Sequence, residues 1–215
     1  MIPLASWELI ESVGRTLVGI LQAHVDLVLP LAGVKVQLAT TKLFKQLEST
    51  TTPTITIFLY RAMEHGELRN APRRTLSDGS TTRPLLPLEL CYLVTPWGVR
   101  INETPVADQL AAQEEHRLLG VALQAFYDHA EIGRSALVED PDEPVWEPTD
   151  NVQLILESLP VEDHYRIWDS GELDYRVSLT YRVRVLGLEP TQRTTVPPVA
   201  EADFAWQPGA GAGGP

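Results

Sequence analysis

Two stretches of this chain place an apolar side chain at every second position, and both demand a sheet with a core against it. In residues 54–63, Ile55, Ile57 and Leu59 fall on one face, with Phe58 and Tyr60 on the other. In residues 86–94, Leu86, Leu88, Leu90, Tyr92 and Val94 alternate, and the run ends at Pro96 and Gly98. Period-two patterning of β-branched and aromatic residues predicts strands. Apolar residues on both faces of the first predict a central place in the sheet. Between them, residues 70–84 hold Pro72, Asp78-Gly79 and a run of Ser and Thr, the composition of a mobile loop. The two strands read as a wide hairpin closed by a loop bearing Arg69, Arg73, Arg74 and Arg83.

Such a sheet needs cover, and two helical patterns supply it. Ser6 as N-cap opens a helix in which Leu9, Ile10, Val13, Leu17, Ile20 and Leu21 recur at spacings of three and four, to about His24. Gly14 and Gly19 each weaken it by about 1 kcal/mol relative to alanine, so both are expected against a close neighbour. Thr104 as N-cap, with Pro105 at the first helical position and Asp108 complementing the dipole, opens a second long helix. Its stripe is Leu110, Leu118, Leu119, Val121, Ala122, Ala125 and Phe126, and it fades near His129.

The remaining elements are shorter. Val34, Val36 and Leu38 form a half-buried strand. Residues 139–150 contain Glu139, Asp140, Asp142, Glu143, Glu147 and Asp150 among prolines and read as a solvated acidic loop. Residues 151–159 form a strand through Val152, Leu154 and Leu156, and 161–168 one or two helical turns. The last strand alternates Tyr175, Val177, Leu179, Tyr181, Val183 and Val185 with Arg176, Ser178, Thr180, Arg182 and Arg184. The expected architecture is one α+β domain over residues 1–189, a mainly antiparallel sheet of about five strands with two main helices packed on it. Residues 190–215, rich in Pro, Gly and Ala, read as a flexible tail with one apolar anchor, Phe204-Ala205-Trp206.

Charge and composition exclude several function classes. The net charge is −12, yet residues 1–100 carry 10 Lys/Arg against 8 Asp/Glu while residues 101–215 carry 7 against 21. That balance argues against binding along nucleic acid, which requires a basic face to displace counterions. It suits complementary contacts between charged protein subunits. No apolar run approaches the ~18 residues that cross a bilayer, and the start lacks the order of a secretion signal, so a cytosolic place is expected. The single cysteine, Cys91, excludes a disulfide framework or a Cys-based metal site within one copy and is expected as a buried, inert thiol.

Catalytic patterns are weak throughout, and the chain does not read as an enzyme. Glu114-Glu115-His116 has no second histidine four residues along the helix, so it does not make a metal motif. The acidic loop lacks the order of a calcium loop. Ser77 and Ser80 beside Gly79 lack the Gly-x-Ser-x-Gly elbow. No cofactor is implied. Two alternatives stand beside a structural role: a monomeric module binding an acidic ligand through Arg69, Arg73, Arg74 and Arg83, and a hydrolase using Glu115 and His116 in a concave pocket.

Five blocks in order carry a resemblance. They are Leu59-Tyr60-Arg61 with Leu68-Arg69-Asn70; Leu88-Glu89-Leu90-Cys91-Tyr92-Leu93; Glu115-His116-Arg117-Leu118-Leu119-Gly120; Trp168; and the last strand with Tyr181. Over about residues 6–187 the chain resembles the amino-terminal domain of the tail-terminator, or cap, proteins of phage-tail-like contractile injection systems. The resemblance implies six copies in a ring that closes the inner tube and contacts the last sheath ring, inside the cytoplasm as part of an assembled particle, with no turnover chemistry. Its partners would be its own copies, the tube protein and the sheath protein, with neither nucleic acid nor membrane insertion. A ring needs a heterologous interface whose rotation closes. Arg69, Arg73, Arg74, Arg83, Arg176, Arg182 and Arg184, set against the acidic carboxyl half, are the candidate subunit contacts.

Overall fold

A strand with apolar residues on both faces can only be satisfied by cover on both faces, and the structure provides it. The computed structural model describes residues 6–68, 71–76, 78–100, 102, 104–169, 171 and 173–194. In chain order the strands are β1 (Lys35–Leu38), β2 (Thr54–Glu64), β3 (Arg74–Thr75), β4 (Thr81–Thr82), β5 (Leu86–Trp97), β6 (Glu131–Gly133), β7 (Asn151–Glu157), β8 (Leu179–Leu188) and β9 (Arg193–Thr194). The helices are α1 (Leu9–Val28), α2 (Thr41–Leu47), α3 (Pro105–Asp128) and α4 (Val161–Asp169). Among the described residues no helix is long and apolar enough to cross a membrane.

The chain divides into two compact units. The larger, Met1–Ala71 with Leu85–Glu189, contains a six-stranded sheet in the order β1-β2-β5-β8-β7-β6. All its neighbours are antiparallel except β1 and β2, which run parallel. Parallel neighbours need a crossover, and α2 is the helix inside it.

The two faces of this sheet are covered by different helices. On one, α1 and α3 bury Leu9, Val13, Leu17, Leu21, Leu118, Ala122 and Phe126 against Ile55, Ile57, Leu90, Tyr92, Val183 and Leu154. On the other, Phe44 and Leu47 of α2 and Trp168 of α4 pack on Leu93 and Trp97 of β5, with Phe58 and Tyr60 at the margin. Phe44 sits 5.4 Å, ring to ring, from each of Phe58, Trp97 and Trp168. The indole N–H of Trp97 donates to Thr56 Oγ1 at 2.9 Å, whereas the buried indole N–H of Trp168 meets no acceptor among the described residues.

The smaller unit, Pro72–Pro84 with Pro190–Pro215, holds an antiparallel ladder in the order β3-β4-β9. Arg74 pairs with Thr82 and Thr81 with Thr194. Gly79, at φ 80°, makes the turn between β3 and β4. Two-residue strands are too short to leave a period in the sequence, which is why residues 70–84 read as an unpaired loop. The anchor Phe204-Ala205-Trp206 lies outside the described residues.

Several expectations are corrected. The main sheet has six strands rather than about five, and there are four helices among the described residues. Helix α1 runs on to Val28, because Val25 is buried with the stripe, and its first turn, Ser6–Glu8, is a 3-10 turn with no side-chain cap at Glu8. A Cβ on Gly14 would meet Leu38 at 3.2 Å, the close neighbour expected, whereas one on Gly19 would meet nothing within 4 Å. Leu110 is 57% exposed and leaves the α3 stripe. β8 begins at Leu179, so Tyr175, Arg176 and Val177 precede the strand.

The acidic loop is not solvated along its length. Val145 and Trp146 are buried in the main core. Trp146 Nε1 donates to Ser12 Oγ at 2.6 Å, and Thr16 Oγ1 accepts from Val138 N at 2.9 Å, which fastens the loop to α1. Glu139 turns inward, accepting from Val145 N and Trp146 N and pairing with Arg134. Burial pushes its carboxyl up, but these donors together hold it below the usual glutamate value.

Candidate assembly surface

Helices α2 and α4 cover only part of their face of the sheet, and beyond them the strands present polar side chains. Register sets Glu89 opposite Arg184 and Cys91 opposite Arg182. Glu89 is buried and accepts from Arg184 Nε at 2.9 Å, with Arg182 at 3.9 Å and His65 at 3.5 Å. Arg182 also pairs with Glu157 of β7, a bond that raises its pKa. A buried carboxylate needs such partners, and losing one would leave an uncompensated charge. Arg182 and Arg184 are therefore brought together, by Glu89, within one copy.

Arg176 has a different setting. Its guanidinium lies 4.4 Å over the Trp97 ring and 3.0 Å from Glu115, with only 14% of the side chain exposed. Burial lowers its pKa and Glu115 opposes that shift. Glu115 also accepts from Gly98 N at 3.3 Å, and Glu114 from Val99 N at 2.9 Å. The two acids pin the turn between β5 and α3. Glu115 is taken up by these contacts, and His116 is exposed.

Of the other candidate arginines, Arg73, Arg74 and Arg83 are exposed, while Arg69 and Asn70 lie outside the described residues. Among the block residues, Leu88, Leu90, Tyr92, Leu118, Trp168 and Tyr181 are buried in the two cores. Leu59, Tyr60 and Leu119 are half-buried, and Arg61, His116 and Gly120 are exposed. Tyr181, its ring 5.0 Å from Phe126, has its hydroxyl pushed up to about 12 by burial.

Two apolar grooves escaped the sequence reading. One, of about 450 Å³, is lined by Leu123, Phe126, Tyr127, Leu154, Leu156 and Tyr181 where α3 ends beside β7. The other, of about 360 Å³, lies along α1 between Ile20, Leu27, His129 and Val138. The signal for the first was present in the sequence: Leu123 and Tyr127 sit four apart on α3, a second stripe beside the buried one.

The comparisons with known proteins agree with this fold. The family model described as the Pvc16 N-terminal domain matches residues 12–202. A solved structure of the sheath/tube terminator of an extracellular contractile injection system, PVC, in its extended state, aligns at TM-score 0.57 and 17% identity, over 93% of this chain and 64% of that one. The cap of the anti-feeding prophage, described as its tube terminating cap, aligns at TM-score 0.58 and 18% identity, over 91% of this chain and 61% of that one. The chain thus spans less than two thirds of either structure's length. No curated protein sequence matches it.

Proposed function

The chain belongs to the Pvc16 N-terminal domain family, and from that premise we propose that it caps a contractile injection system. In this reading six copies form a ring that ends the inner tube and meets the last sheath ring inside the cell that builds the particle. The observation that carries it is the family match across residues 12–202, supported by a fold that follows a sheath/tube terminator over 93% of this chain. The role asks for complementary surface rather than a catalytic centre, and the grooves and exposed apolar side chains supply surface.

The arginines divide within this reading. Arg73, Arg74 and Arg83 are the exposed members and are the candidates for contact with acidic surface on a neighbour. Arg176, Arg182 and Arg184 act first inside the copy, so charge reversal there would disturb the sheet before it disturbed a ring. The larger unit, Met1–Ala71 with Leu85–Glu189, would carry this role, with Pro72–Pro84 and Pro190–Pro215 as a second unit.

The test is particle production without this protein, followed by negative-stain imaging. Tubes of uncontrolled length are expected. Particles of normal length with normal caps would overturn the role.

A further inference from the structure

The two edges of the six-stranded sheet are finished differently. At the β1 edge the side-chain amide of Gln22 does the work of a missing strand: its Oε1 accepts from Val36 N at 2.8 Å and its Nε2 donates to Val34 O at 3.1 Å. Among the described residues nothing comparable closes the far edge. β6 pairs with β7 only at residues 151–153, and the last outward bond is Leu154 N to Ala130 O at 2.8 Å. Backbone groups of alternate residues point the same way, so Leu156 N–H and C=O also point outward, and among the described residues no strand meets them. Beside this open edge, on the α3 side of the sheet, lies the groove of about 450 Å³ lined by Leu123, Phe126, Tyr127 and Leu156. Unpaired main-chain groups next to an apolar slot are the two halves of a strand-addition site, the first binding any extended peptide and the second selecting its side chains.

We propose that the open edge of β7 and its groove receive an extended segment, residues 200–206, from a second copy of this chain. The described chain ends at Thr194 and 21 further residues follow it, ample to reach outward. Within them Ala200, Ala202, Phe204 and Trp206 alternate with Glu201, Asp203 and Ala205. As a strand, that places both aromatic rings on one face and both acids on the other. Pairing with β7 turns the aromatic face to the groove. It turns Glu201 and Asp203 to the polar face of the sheet, beside Gln153 and Ile155 of β7, while Arg182 and Arg184 stand one strand further in, paired with Glu157 and Glu89. Prolines at 198 and 208 bound the segment, since neither can donate to a ladder. The result is a head-to-tail contact, donor on one copy and slot on the next, which is the kind that closes into a ring. The inference rests on the assembly role proposed above.

The test uses full-length protein. A fluorescent peptide of residues 199–208 is titrated onto the F204A/W206A variant, whose own segment is disabled, with and without Tyr127→Glu. Tyr127 is 83% exposed, so the change alters the groove wall and spares the core, which circular dichroism verifies. Saturable binding that weakens at least tenfold in the Tyr127→Glu form is expected, and Leu123→Lys gives the same result if Tyr127→Glu disturbs folding. Absent binding, or binding indifferent to both changes, overturns the site. Mixing the Tyr127→Glu protein with F204A/W206A protein then identifies the donor. Each alone should fail to associate through this contact, while the mixture, having one intact slot and one intact segment, should form a complex on sizing. Peptide binding without a mixed complex would overturn donation by a second copy. Since neither measurement involves particles, a positive result here with normal tubes from cells lacking the protein would refute the terminator role and leave the docking site standing.

Discussion

Two glycines show how single residues hold the large sheet in register. Gly187 adopts φ 121° beside the register shift between Leu86 and Leu88, and a Cβ there would overlap the Leu86 carbonyl. Gly98 starts the turn into α3, where a Cβ would sit 2.5 Å from the Ala111 carbonyl oxygen. Neither obstacle can rotate away, because both are backbone. Gly98→Ala should therefore lose about 2 kcal/mol in urea unfolding, and Gly187→Ala, which adds left-handed strain to the clash, about 3 kcal/mol or more. Glu139 makes a prediction in pH. Its folded pKa is depressed below the unfolded value of about 4.3, so its contribution is complete above that pH and is lost as pH falls through the folded value. Glu139→Gln should cost about 1 to 2 kcal/mol at pH 7. The difference from the parent should vanish in acid once the native carboxyl is protonated, as paired urea melts would show.

At the scale of elements, what could be read from the sequence tracked length and periodicity. α1, α3, β2, β5 and β7 carry long or clean patterns, and each was placed within a few residues. α2 has only 7 residues, β6 only 3, and β3, β4 and β9 only 2 each, too few to show a period. They exist because of tertiary partners: α2 because parallel strands require a crossover, β6 because β7 offers an edge. The same limit hid much of the surface. The arginines of β8 alternate as an exposed row would, but their partners Glu89 and Glu157 come from other strands, and no local pattern announces such pairing. α4, at 9 residues, is likewise below the roughly 12–15 at which a helix stands alone. It is held through Trp168, so Trp168→Ala should cost about 3 to 5 kcal/mol. It should also release α4 to fast hydrogen exchange before β5 and β8 exchange, and simultaneous exchange of all three would show that the second core is not a separate layer of stability.

For the whole molecule, assembly sets a like-charge cost against apolar burial. Each copy carries −12, so closing the proposed ring would bring strongly acidic bodies together. Several of the cations that might offset this are committed inside the copy: Arg134 to Glu139, Arg176 to Glu115, Arg182 to Glu157 and Arg184 to Glu89. The surface instead offers large apolar side chains, among them Trp7, Leu27, Leu31, Tyr127 and Tyr165. Added salt shortens the screening length from about 14 Å at 0.05 M to about 4 Å at 0.5 M, which removes repulsion between copies and leaves apolar contact intact. Self-association followed by sedimentation should therefore strengthen across that range, with mass rising from the 23.9 kDa of one copy toward a multiple of it. Exposed ion pairs through Arg73, Arg74 and Arg83 would give the opposite slope if they dominated, because they are screened by the same ions. A mass that falls with salt would assign the self-association to those arginines, and their role would then extend beyond orienting the approach of one copy to the next.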